Sequence, residues 1–238
     1  MEASPVGRRG TRAPSGGSVW LRQFPERATR ASPLSRKRIV EVAVAVLDES
    51  SIEGLTMRSL AQRLQVTATA LYWHVSSKED VLDLAFDHIF GDVRIPEPSP
   101  DFTEDLEELL RGWRAVMLQH PWSPTLVGRP VLGPNVSART EFLQTALVRG
   151  GLTGHRLAVA THLLANYVIG ACLTETTWHR HHEPDLRAHA PAHLLARDQL
   201  YPTLTDQGHL NDHDSEDELF LAGVRTILGA LRDGPVAS

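Results

Sequence analysis

This sequence is poor in several things, and each shortage excludes something. It holds one cysteine, Cys172, in 238 residues, so no intramolecular disulfide framework supports it. Only Lys37 and Lys78 among its 24 basic residues are lysine, a bias that fits a GC-rich bacterial genome. Uninterrupted apolar runs of membrane-spanning length are missing. The nearest, LAVATHLLANYVIGACL at 157–173, is broken by His162 and Asn166 and reads as a buried helix. The N-terminal arginines are not followed by the apolar stretch of a secretory signal. No segment alternates with a period of two, and no repeat recurs. No nucleophile–base pair, phosphate-binding loop or defined metal-ligand spacing stands out, which argues against an enzyme and against a bound metal or cofactor. The expectation is a cytoplasmic, all-α protein with no membrane contact.

Charge is present but uneven. The net charge is −5, yet residues 1–38 carry nine basic residues against Glu2 and Glu26. A basic arm on an acidic body suits a polyanion bound at one end, or simply a solvated tail. Residues 1–33 are rich in Gly, Pro, Ser and Arg and read as a disordered arm, with a small apolar patch at Trp20, Leu21 and Phe24. Ordered pattern begins at Ser35. Ile39, Val42, Ala43, Val46 and Leu47 recur at helical spacing. Thr56, Thr67 and Ser77 are N-caps for three further helices. PEPSPD at 96–101 is a linker. The expected layout is an arm over 1–33, one helical unit over 34–94 and a second over 95–238, with helices near 135–149, 155–178 and, after the Ser215–Glu218 capping box, to about 232.

Residues 56–75 carry two short helices joined by a tight turn. Leu60, Ala61, Leu64, Leu71 and Val75 face inward, Val66 fills the turn, and Ala68, Thr69 and Tyr72 share the outer face. That is helix-turn-helix spacing, in which the second helix enters a DNA major groove; an ordinary helical hairpin shows the same pattern. The stretch IEGLTMRSLAQRLQVTATALYWHVSSKEDVLDLA decides between them. It closely resembles the TetR family of bacterial transcription regulators, in particular its tetracycline-repressor branch, through LYWHV followed by Lys78. The resemblance implies a homodimer on a double-stranded DNA operator. It makes Arg58 a base-reading arginine, places Ala68 and Thr69 at base-reading positions where the branch has other residues, and makes Tyr72, His74 and Lys78 phosphate contacts. Thr56, Arg36 and Lys37 join this DNA-facing set. Trp73 is expected to pack against the first helix. Gln65 stands where the family usually has glycine.

Residues 101–178 resemble the same branch through GWRAVMLQHP, GRP at 128–130 and NYVIGACLTE. The resemblance implies a small-molecule effector pocket around Trp113, which Leu109, Met117, Trp122, Val127, Leu143, Leu147 and Tyr167 would line, with His162, Asn166 and Thr174 as polar anchors; each would serve equally well as plain core. The tetracycline repressor's metal-chelating positions fall near Val127 and Thr174, so an apolar or aromatic effector is expected instead of a magnesium chelate. Dimerisation through helices near 155–178 and 215–232 is implied, with Gly170, Ala171, Gly223 and Gly229 permitting close approach. Seven histidines from His179 onward match no defined metal site. The expected function is a ligand-released repressor. An activator, a regulator without inducer, and a small-molecule-binding protein with a vestigial helix-turn-helix are the alternatives.

Overall fold

In the computed structural model the described residues are 19–21, 34–126, 132–180, 189, 192–206 and 215–233. Helices are the only regular structure among them. The chain divides into two compact units, one of residues 1–88 with 128–136, the other of residues 89–127 with 137–238.

The first unit is built on α1 (Arg36–Gly54), α2 (Met57–Arg63), α3 (Ala68–Tyr72) and most of α4 (Lys78–Phe90). Each start has a sequence cause. Ser35 accepts from the Arg38 amide at 3.1 Å, Thr56 and Ser59 form a reciprocal capping box, Thr67 accepts from the Ala70 amide, and Ser77 from that of Asp80. These contacts satisfy amides that a helix leaves unpaired at its first turn. Ile39, Ala43, Leu47, Leu55, Leu60, Leu71, Val75 and Val81 are almost wholly buried and form the core. Two non-glycine residues have left-handed backbone, Ser51 at φ 57°, which kinks α1, and Gln65 at φ 57° in the α2–α3 turn. The Gln65 amide still closes on the Gln62 carbonyl at 3.1 Å, so the turn the family makes with glycine is made here with a side chain present. Asp87 of α4 accepts from the Val136 amide at 2.9 Å and from Asn135, capping the start of α6 (Pro134–Arg149).

In the second unit α5 (Phe102–Gln119) buries Leu106, Leu109, Leu110, Trp113 and Met117. It packs against α7 (Gly154–Arg180) and α8 (Glu216–Asp233). Helices α7 and α8 run antiparallel: Arg156 donates to the Leu231 carbonyl, Tyr167 to that of Phe220, and Arg114 holds both Glu175 and Asp217. Arg139 donates to the Gly91 and Val93 carbonyls at 2.7–2.9 Å. By length and composition α7 is apolar enough over 154–177 to cross a membrane, more than the two polar interruptions in its sequence suggest. It buries one stripe, Ala160, Leu164, Val168, Cys172 and Thr176, and leaves Val159, Leu163 and Leu173 exposed. Residues 192–195 and Pro202–Asp206 are short helical pieces of the segment between α7 and α8.

Candidate nucleic-acid interface and effector pocket

Leu71 and Val75 are fully buried and anchor α3 to its unit. Ala68, Thr69 and Tyr72 stand exposed on the opposite side. On α2, Arg58 is exposed and makes no hydrogen bond or ion pair among the described residues, leaving its guanidinium fork open. Thr56 beside it is exposed, with its hydroxyl engaged in the capping box. Trp73 corrects the sequence reading: it is 76% exposed and does not pack against α1. It sits at the C-cap of α3, between the buried Leu71 and Val75.

Two of the expected DNA-facing cations have work inside the protein. Lys78 donates to the Ile52 carbonyl at 2.6 Å, in the last turn of α1 just past the kink. A carbonyl there has no intrahelical partner, and the negative end of the helix dipole favours a cation. Arg36 donates to the His74 carbonyl at 3.3 Å from the other end of α1. Lys78 and Arg36 thus staple both flanks of the turn after α3 to α1. Lys37 is largely exposed and pairs loosely with Glu41 at 4.0 Å. His74 is half-buried with its backbone held by Leu71 and Arg36. Of the N-terminal arm only Val19–Leu21 are described; Val19 is buried and Trp20 half-buried, and the other arm residues lie outside the described ones.

The residues expected around one effector cavity separate into two groups. Leu109, Met117, Trp122, Leu143 and Leu147 are at most 1% exposed and belong to the core of the second unit. Trp113 lies among that buried set, edge-on to Phe90 at 5.3 Å, and its indole N–H is buried with no hydrogen-bond partner among the described residues. Asn166, Tyr167 and Thr174 line a different pocket of about 460 Å³ on the outer side of α7 and α8, with Arg114, Glu175 and Glu216. Asn166 and Thr174 are therefore not polar anchors beside Trp113, and Tyr167 lines the outer pocket in place of the expected cavity. His162 is no anchor there either: it is exposed with its Nδ1 against the Ala158 carbonyl. The periodicity explains the error: α7 buries every fourth residue from Ala160, and 162, 166 and 174 fall on the other faces. Val127 lies outside the described residues.

Arg114, which no periodicity singled out, organises the outer pocket. It is 7% exposed, pairs with Glu175 at 2.6 Å and with Asp217, and lies over the Phe220 ring at 5.1 Å. Burial works against its charge, but the hydrogen bonds to Asp217 and Glu175 outweigh that and raise its pKa. An arginine one residue after Trp113 on an amphipathic helix was the available signal. Cys172 is buried, and desolvation pushes its thiol up to about 12. No cluster of three metal-ligating side chains occurs among the described residues; His181, His182, His209 and His213 of the histidine-rich segment lie outside them.

Residues 39–85 match the family described as bacterial regulatory proteins of the tetR family, and residues 95–233 match the tetracyclin repressor-like C-terminal domain. The chain belongs to the TetR family. It is a DNA-binding transcription regulator with a helix-turn-helix and a ligand-binding domain. An HTH-type transcriptional regulator of Saccharopolyspora erythraea is 40% identical over 222 residues, covering 90% of this chain and 93% of the relative. The class D tetracycline repressor of Escherichia coli is 25% identical, over 82% of this chain and 88% of its own. Among solved structures, the Streptomyces coelicolor TetR family protein ActR in complex with actinorhodin superposes with a TM-score of 0.78 at 28% identity, over 87% of this chain and all of that one.

Proposed function

We propose that this TetR-family chain is a cytoplasmic, homodimeric repressor, not an enzyme, that binds a palindromic operator and leaves it when a small aromatic effector binds. The observation that carries the DNA half is the exposed row Arg58, Ala68, Thr69 and Tyr72 on two helices whose other sides are fully packed. Arg58 reads a guanine with both arms of its fork. Thr69 and Ala68 meet base edges, and Tyr72, His74 and the open donors of Lys78 sit on phosphates. A twofold dimer repeats this row about one helical turn apart, hence the palindrome. A gel shift against DNA upstream of its own gene tests the reading: absence of retardation at low salt overturns it.

The effector half rests on the indole N–H of Trp113. Leaving such a donor buried and unpaired costs about 1–3 kcal/mol, and tryptophan normally finds a partner for it. An aromatic effector bearing a carbonyl or phenolic oxygen would accept from it, and actinorhodin, with which ActR has been solved, is a first compound to screen. Effector and operator then favour different spacings of the two recognition helices, so each weakens the other. Trp113→Phe keeps the ring and removes the donor. It should raise the effector concentration that releases DNA about tenfold, on the order of one lost hydrogen bond, with operator affinity unchanged; equal release by both proteins contradicts the role.

A further inference from the structure

The pocket on the outer side of α7 and α8 includes neither Trp113 nor any residue of the helix-turn-helix. Its volume of about 460 Å³ lies in the range of small-molecule sites and is too large for a packing defect. Its depth is graded by chemistry. Arg114 forms the base, 7% exposed, and its Nε–H is buried with no hydrogen-bond partner among the described residues. The other two guanidinium nitrogens are held by Asp217 and Glu175, so this one donor is left over. A buried donor without an acceptor carries a cost that a ligand oxygen removes. Tyr167 and Phe220, stacked with ring centroids 5.4 Å apart, make an apolar wall with Leu219. Glu216 is exposed at the rim. Glu175 and Glu216 set two carboxylates against the one guanidinium. A carboxylate takes several donors at once, so the mouth attracts a cation whatever else these two groups hold. Val159 and Leu163, which α7 leaves exposed nearer its start, are not part of the lining; a second copy covering them need not enter the pocket.

We propose that this pocket is a second small-molecule site, separate from the effector cavity at Trp113, for an arylalkylamine that carries an oxygen on its ring. The oxygen accepts from Arg114 Nε at the base. The ring packs against Tyr167, Phe220 and Leu219, where aromatic surface is buried most favourably. The ammonium lies at the mouth between Glu175 and Glu216, in charge-assisted hydrogen bonds. Each part of the ligand answers one feature of the pocket. A simple alkylamine would leave the Arg114 donor unpaired, a neutral phenol would gain little from the carboxylates, and an anion would be repelled at the rim.

Calorimetry on the full chain at low salt tests this with three probes of one shape: tyramine, phenethylamine, which lacks the ring oxygen, and tyrosol, in which a hydroxyl replaces the ammonium. Tyramine should bind saturably with a Kd below about 1 mM, and the other two at least about fivefold more weakly, on the order of one lost hydrogen bond. Two variants, each first shown to keep its helix content, locate the site. A Cβ on Gly170 meets nothing within 4 Å, so Gly170→Leu fills the pocket without touching its polar groups and should abolish binding. Glu216→Gln should weaken tyramine about fivefold and leave tyrosol unchanged. Trp113→Phe should bind all three probes as the wild type does, which keeps this result apart from the effector reading. Absence of saturable tyramine binding, as when a second copy fills the pocket, overturns the site. Binding that survives Gly170→Leu, or that Trp113→Phe removes, places the amine elsewhere and overturns it as well. Equal affinity for tyramine and tyrosol overturns the amine class.

Discussion

Gln65 shows how much one residue can be asked to bear. An L-residue in left-handed backbone costs about 1–2 kcal/mol, and the helix-turn-helix needs that conformation to swing α3 across α2. Glycine would remove the strain but adds unfolded-state entropy worth about 0.4–1 kcal/mol. Gln65→Gly should therefore raise the unfolding free energy by about 0.5–1 kcal/mol in urea titrations, without changing operator affinity; a loss of stability would mean that the side chain itself holds the turn. Cys172 is the opposite case, a reactive group kept idle. Its thiol is neutral when folded up to about pH 12, against 9.0 for an unhindered thiol. The unfolded state releases that proton first, so from about pH 9 to 12 stability should fall by about 1.4 kcal/mol per pH unit. Alkylation at pH 8 should proceed only as fast as the protein opens, which mass spectrometry with and without urea will read.

Within elements, two cations expected to face only DNA turn out to be shared with the fold. The sequence places Lys78 at the first turn of α4 and Arg36 at the first turn of α1, both beside the recognition helix, and that much was legible. Their hydrogen bonds to Ile52 and His74 depend on backbone carbonyls 26 and 38 residues away, which no local pattern reports. Lys78→Ala should thus cost about 1–2 kcal/mol of stability, as a charge-assisted bond to a helix end does, besides weakening all operators alike. Arg58→Ala, whose side chain makes no pair among the described residues, should leave stability unchanged and cost about 1–3 kcal/mol of binding, mostly at one base pair. Unfolding curves and gel shifts on operator variants separate the two. Uniform loss on every operator variant for Arg58→Ala would refute base reading. In α5, burial would raise the Asp105 pKa, but Arg149 and the Ser99 amide outweigh it and lower it. A depressed carboxylate contributes stability above its unfolded value of about 3.8 and loses it as pH falls through the lower folded value. Asp105→Asn should remove that contribution and flatten the acid limb of the stability curve.

At the scale of the whole molecule the basic arm and the acidic body have separate duties. Deleting residues 1–33 removes six arginines and should weaken binding to all DNA alike while reducing the steepness of its salt dependence; an unchanged slope in binding titrations would leave the arm no phosphate role. The sequence by itself determined the all-α class, the caps of α2 to α4, the helix-turn-helix and the family, because these rest on spacings within a few residues and on a contiguous motif. It also marked the outward row from Arg58 to Tyr72. Only the tertiary structure decided that Trp73 is exposed, that Lys78 and Arg36 brace α1, and that Asn166, Tyr167 and Thr174 gather around Arg114 and not beside Trp113. The reason is physical. A helical period says which residues share a face, but on a helix as apolar as α7 several faces qualify. Which one is buried depends on the neighbours α5 and α8, and so on contacts between residues up to about a hundred positions apart, such as Arg114 with Asp217.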